Sequence, residues 1–392
     1  MEHQLRRHTG NRRIHLILLG IIWLTIHILL FAHYGTRNLF DSQAYIRAAD
    51  FLISQGGLQE ADCIFYAVPI TLIAAFRWLF PGEILPFLIF QSMISGLATV
   101  SLYFSGSKIF NNHKAGLLAG SIFLLWWDNL QWNTTAMTES LQCSVICFVL
   151  YRLTYFAGTK KDFIVIIAWS LVSFLTRPTG IVIVLGVIVF FLYYYKHALR
   201  EKPLWRITLV IASVAIAYWG ANVMFSRWDF TDQYRRGNII TYMDTIEGSP
   251  LYDESLVVAP AKPVTDISAM PVMKVVNFIF NDPLYFLKIS ALKVLYLLAF
   301  VRPYYSTLHN LFNLWWISVV YVGFYVGMRK GGNSPVRLFV LVVIAVNCAL
   351  IGISTVDWDN RFYIPMEPGL VVFAGGGAAY FSNRLKPNLR TT

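Results

Sequence analysis

The sequence predicts an all-α polytopic membrane protein, and three observations carry that reading. Of its 392 residues 57% are hydrophobic and only 14% charged, against about 25% charged in an average soluble chain. Apolar runs follow one another, and several reach the roughly 20 residues of helix that cross a hydrocarbon core about 30 Å thick. The charged residues between the runs separate by sign, as they do on the two sides of a membrane.

Ile14 to His33 is the first run. Arg6, Arg7, Arg12 and Arg13 precede it as in a signal peptide, but the run exceeds an ordinary h-region and ends without an A-x-A-like site. It reads as an uncleaved signal-anchor with a cytoplasmic N-terminus. Residues 34–83 then form a first outer loop. In it Asp41 heads a helix whose Tyr45, Ala48 and Leu52 share one face, as in a helix lying on the membrane surface. Asp41 is either the N-cap of that helix, accepting backbone N–H groups, or a carboxylate held over the membrane for chemistry. Phe65 to Phe80, interrupted by Pro69 and Arg77, supplies further interfacial helix.

Ile84 to Ser105 is long enough to span. Ala115 to Leu130, Thr138 to Ala157, Phe163 to Thr176, Ile181 to Tyr195 and Ile207 to Phe225 read as further spans, the shorter ones accommodated by tilt or a distorted bilayer edge. Ser226 to Tyr285, with Pro250, Pro260, Pro263 and Pro271, is a long outer loop expected to form a partly ordered cap. Leu311 to Val326, Val336 to Ser354 and Gly369 to Phe381 are the last clear spans.

Charge orients these elements. Residues 1–13, 106–114, 158–162, 196–206, 328–337 and 383–392 hold 18 of the 32 Lys and Arg but 3 of the 21 Asp and Glu, which makes their side cytoplasmic. Phe286 to Val301 must then not cross, since a crossing there moves Arg329, Lys330 and Arg337 outside; Lys288 and Lys293, close to one helical face, suit an interfacial helix. The expectation is one integral-membrane domain over residues 1–392 with about ten spans, eleven being the alternative.

The formal charge of +11 follows from cytoplasmic loops and calls for no nucleic acid. Three of the four cysteines, Cys143, Cys147 and Cys348, lie inside apolar runs, so no disulfide framework is implied. There is no P-loop, no GxGxxG after a strand, no HExxH and no Cys/His ligand spacing, which leaves nucleotide hydrolysis and structural zinc without support. Asp357-Trp358-Asp359 is too short a coincidence to make a sugar-nucleotide metal site.

The predicted topology gathers Asp41, Asp50, Glu139, Arg177 and Arg361 on the outer face. Each has a plain reading. Glu139 opens a span, where the helix dipole favours a carboxylate and Thr138 or Ser140 is a capping partner. Arg177-Pro178-Thr179-Gly180 is a turn between helices, and Arg361 with Tyr363 suits an aromatic-belt anchor. Together they suit a reaction that deprotonates a hydroxyl and releases a phosphate from a lipid, because a carboxylate serves as general base and the arginine fork matches phosphate oxygens.

In the order of these features the chain resembles the GT-C superfamily of membrane glycosyltransferases, in particular bacterial relatives of protein O-mannosyltransferases and of the lipid A aminoarabinose transferase. The resemblance covers most of residues 14–200 and returns at 357–381. It rests on Asp41 followed by Tyr45, interfacial helices in the first outer loop, Thr138-Glu139-Ser140, Thr176-Arg177-Pro178-Thr179-Gly180, and Asn360-Arg361-Phe362-Tyr363-Ile364-Pro365-Met366-Glu367-Pro368. Ser42 stands where many relatives have a second acid, and Val68 where some have lysine before the proline.

The resemblance implies a GT-C-like bundle that transfers a sugar, hexosyl or pentosyl, from a polyprenyl-phosphate donor to a lipid, glycan or protein hydroxyl. Transfer proceeds with inversion at the outer face of a bacterial cytoplasmic membrane. It implies Asp41 as general base, Glu139 as a second carboxylate, Arg361 or Arg177 on the carrier phosphate, and Tyr45 and Tyr363 beside the substrates. No cofactor is expected, and a divalent metal has no support. A transporter or flippase shares the many spans, but no Gly/Pro-broken pair of spans recurs in the two halves of the chain. A polysaccharide polymerase or ligase would keep the lipid-linked sugar and drop Asp41 as base.

Overall fold

The computed structural model describes residues 2–39, 41–227, 230–260 and 270–384. Pro263 and most of the basic stretch 383–392 lie outside them. Every regular element among the described residues is helical, and the β contacts are isolated bridges.

Helix α1 (Glu2–Tyr34) carries the first apolar run, and α2 (Ser42–Gln55) and α3 (Ala67–Leu79) fill the first polar loop. There follow α4 (Leu85–Ile109), α5 (His113–Leu124), the single turn α6 (Trp127–Leu130), α7 (Glu139–Thr154), α8 (Lys160–Thr176) and α9 (Ile181–Tyr194). Next come α10 (Lys196–Arg200), α11 (Pro203–Arg227), α12 (Phe230–Arg235), α13 (Pro271–Asn281) and α14 (Pro283–Ala299). The last are α15 (Thr307–Lys330), α16 (Ser334–Ile353) and α17 (Glu367–Arg384). Arg12–Tyr34 within α1, together with α4, α15 and α16, is long and apolar enough to cross a membrane, and shorter apolar stretches lie at Cys63–Leu79, Pro178–Tyr194 and Ile207–Val223. The chain is an all-α polytopic membrane protein.

One expected span is not continuous. The run from Ala115 to Leu130 breaks after Leu124, and a one-turn helix and the 3₁₀ turn Gln131–Thr134 follow. Side chains explain the break: Gln131 donates to Asp128 O at 3.2 Å, and Asn129 donates to Glu367 Oε1 at 2.9 Å. An unbroken helix would leave such amides facing hydrocarbon.

Packing groups the chain into two compact units interleaved in sequence. The first comprises Met1–Val184, Val320–Val340 and Ile364–Thr392, the second Leu185–Val319 and Leu341–Tyr363. In the first, α2 and α3 form a hairpin whose Ala48, Ala49, Ile70, Ile73 and Ala74 pack with Phe87, Leu88 and Leu141. Arg77 locks this hairpin with a two-pronged pair to Asp50, at 2.7 and 3.0 Å. Helix α17 packs on α5 and meets the end of α15 backbone to backbone: a Cβ on Gly377 would stand 2.0 Å from Gly323 O.

In the second unit residues 230–260, after α11, form an ordered cap. Asn238 pairs with Val257 and Ile240 with Val356 through isolated bridges, and Asn238 donates to Gln233 Oε1 at 3.0 Å and to Asp244. Both ends of α14 are tied to this layer. At its start Tyr285 donates to Tyr234 O and Val258 O at 3.0 and 2.9 Å. Towards its end Lys293 donates to Ser354 O at 2.6 Å, and beyond it Arg302 donates to Asp357 O at 3.3 Å. The expectation that Lys288 and Lys293 share a face needs correction: five residues turn a helix by about 140°, so Lys288 is exposed while Lys293 is fully buried.

Candidate active site

The first unit brings four of the six expected site residues together. Asp41 precedes α2 and is exposed, and Tyr45 follows one turn later, half-buried, with its ring 5.3 Å from that of Tyr66. Burial pushes the Tyr45 pKa well above that of free tyrosine; the charges of Tyr66, Glu139 and Asp41 push the same way, and Arg177 opposes them. Those groups therefore lie within electrostatic reach of one phenol.

Of the two readings of Asp41, the side-chain cap is not the one found. Its backbone is already helical (φ −74°, ψ −7°) and its side chain makes no cap hydrogen bond, whereas a capping residue is typically extended so that its oxygen turns back over the first turn. Thr138, with φ −79° and ψ −20°, likewise makes no cap hydrogen bond for α7. Its hydroxyl instead donates to Glu139 Oε2 at 3.3 Å and accepts from Arg177 Nη1 at 3.4 Å.

Glu139 is 0% exposed, and its Oε1 accepts from Arg177 Nη1. Local sequence shapes the arginine end of the pair. Pro178 disfavours helix at the residue before it, so Arg177 leaves α8 extended, at φ −162° and ψ 143°. Gly180 then lets the next turn fold back, since a Cβ there would lie 2.3 Å from Ser173 O.

Residues that the sequence reading passed over hold the approach to Glu139. Gln91, buried in α4, directs its amide at Trp132 O, Asn133 O and Thr135 O at 3.1, 3.0 and 2.9 Å. Arg37 donates to Thr134 Oγ1 at 3.0 Å and Gln131 O at 2.8 Å and lies over the Tyr34 ring. Ser140 donates to Asn133 Oδ1. A glutamine within an apolar run is the one signal of this in the sequence.

Arg361 and Tyr363 belong to the second unit, on the loop after α16. Asp357, buried there, builds the loop: its carboxylate accepts from Asp359 N at 3.1 Å, Arg361 N at 2.9 Å and Phe362 N at 3.3 Å. The Arg361 side chain, 17% exposed, keeps Nε 3.5 Å from Asp357 Oδ2. Tyr363 is 1% exposed and meets Phe300 edge to face at 4.5 Å.

No family model matches the chain, and no curated protein matches it. Among solved structures, the archaeal oligosaccharyltransferase AglB from Archaeoglobus fulgidus, in complex with an inhibitory peptide and a dolichol-phosphate, is similar at a TM-score of 0.49 and 13% identity. The similarity covers 97% of this chain and 52% of that one, so the chain spans about half the length of that protein.

Proposed function

We propose that the chain is a membrane glycosyltransferase that moves a sugar from a polyprenyl-phosphate donor to an acceptor hydroxyl at the outer face, with inversion. The observation that carries this reading is the grouping of Asp41, Tyr45, Glu139 and Arg177, in which an exposed carboxylate at the head of a short amphipathic helix and a buried ion pair both act on the Tyr45 phenol. The order of motifs described above supports it as well.

In the proposed step Asp41 takes the acceptor's hydroxyl proton as the oxygen attacks the anomeric carbon. The bond from that carbon to the phosphate oxygen breaks, and polyprenyl phosphate leaves with the electron pair. A phosphate leaving group needs positive charge more than a general acid. The order of motifs offers Arg361 or Arg177 for that charge. Glu139 and Arg177 set the charge felt by Tyr45, and Tyr45 presents a protonated phenol to donor or acceptor. The acceptor's nature and the cell-envelope location belong to the same proposal.

The test is transfer by purified protein in detergent from synthetic polyprenyl-phosphate monosaccharides, read as release of polyprenyl phosphate with envelope lipid and glycan extracts as acceptors. The absence of both donor binding and release across hexosyl and pentosyl donors would sink the proposal. Transport dependent on a gradient across vesicles would point to a carrier instead.

A further inference from the structure

Helix α14 has two faces of different character. Tyr285, Ile289, Lys293 and Leu297, at four-residue spacing, are buried. Leu284, Leu287 and Leu295 are 79%, 64% and 59% exposed, with Lys288 and Ala291 exposed among them. On a water-facing helix three such leucines would be costly.

Chain tracing fixes how this helix lies. Ile240 pairs with Val356, so the cap and the loop after α16 are on one side of the membrane. Between them α15 and α16 are each long and apolar enough to cross, and two crossings return the chain to its starting side. Helix α13 has 11 residues, about 16 Å of helix and too short to cross. A crossing by α14 would break the parity. The ties from Tyr285 at one end and from Lys293 and Arg302 at the other hold both ends to the layer on that side. The exposed apolar character then resumes on α15 at Leu308, Leu311, Phe312 and Trp315, at the start of a stretch that crosses.

We propose that α14 is an in-plane helix whose Leu284, Leu287, Ala291 and Leu295 face rests in the acyl region of the leaflet beneath the cap, the outer leaflet by the charge distribution. Lys288 reaches its phosphate headgroups along the same face, as long cationic side chains do at interfaces. The occupant of this face is bilayer lipid. The proposal is independent of the reaction the chain performs.

The test places an environment-sensitive fluorescent amino acid, by codon suppression, singly at positions 284, 287, 291 and 295 of the full chain in proteoliposomes. Nitroxide lipids labelled at shallow or deep acyl carbons then quench it, and positions 308, 315 and 322 of α15 serve as a crossing reference. The expected result is one shallow depth at all four α14 positions, with emission lost to the shallow quencher and kept with the deep one, while the α15 series deepens steadily. A depth that grows from 284 to 295 would show that α14 crosses. No quenching at any of the four would show that protein, a second copy included, covers the face. Either result overturns the proposal.

Discussion

Arg177 donates to Glu139 across 38 residues of sequence, and the pair is almost wholly withdrawn from solvent: the two side chains are 10% and 0% exposed. Removing one member of such a pair leaves the other's charge buried without it, which costs about 3–5 kcal/mol. Glu139→Gln and Arg177→Gln are each expected to lower thermal stability in detergent by that order. The double variant Glu139→Met with Arg177→Met should recover much of it, because an apolar pair of similar volume replaces a desolvated one. Additive losses in the double variant would show that the two side chains are energetically independent.

Lys293 gives stability a pH dependence of known sign. Burial lowers its pKa from 10.5 to about 7, so between those values the unfolded chain binds a proton that the folded one does not. Stability should therefore rise with pH from about 7 towards 10.5, by up to about 1.4 kcal/mol per pH unit. The slope should vanish in Lys293→Met. Thermal unfolding of both proteins at pH 7 and pH 9 measures it, and an equal slope in the two would assign the dependence to other groups.

Gln91 supplies one amide to three carbonyls leading into Glu139. Gln91→Leu leaves buried carbonyls without this donor and is expected to cost about 1–3 kcal/mol. Gln91→Glu retains the size but replaces the donor and should not rescue the loss. Full stability in both variants, read by thermal unfolding, would show that Arg37 and Ser140 hold the loop without Gln91.

Arg361→Lys separates charge from shape. The turn around Arg361 is held by its backbone N–H on Asp357, so the substitution spares the loop. Lysine keeps the charge but loses the planar fork that matches phosphate oxygens. With Arg361 on the carrier phosphate, donor KM should rise or turnover fall by about tenfold, on the order of one good charged hydrogen bond. Unchanged kinetics would leave Arg361 as an anchor.

The apolar runs were legible because a bilayer demands them: α1, α4, α15 and α16 stand out by length and composition before any contact is known. What connects Glu139 to Arg177, or Gln91 to residues 132–135, has no periodic trace, since each joins segments distant in sequence. Local rules also misled. Asp41 before a helix and Thr138 before another satisfy the residue preference for an N-cap, yet both backbones are already helical there and neither side chain caps. Lys293 reads as an interfacial cation until the fold buries it against Ser354 O.

The missing cap sharpens the test of Asp41. Because its side chain makes no cap hydrogen bond, Asp41→Ala should cost less stability than the ~1 kcal/mol usual for a lost cap, and Asp41→Asn should fold equally well. Under the proposed function both variants lose general-base catalysis, so turnover should fall about 10²-fold or more. Thermal unfolding and expression are measured beside turnover, because a misfolded variant would imitate a chemical defect. The comparison of the two variants is informative in itself. An amide that merely positioned the acceptor by hydrogen bonding would keep activity in Asp41→Asn and lose it in Asp41→Ala, whereas a base is lost in both. A well-folded Asp41→Asn protein retaining more than about a third of wild-type turnover would remove Asp41 from the chemistry, since so small a loss lies far below the range for a general base.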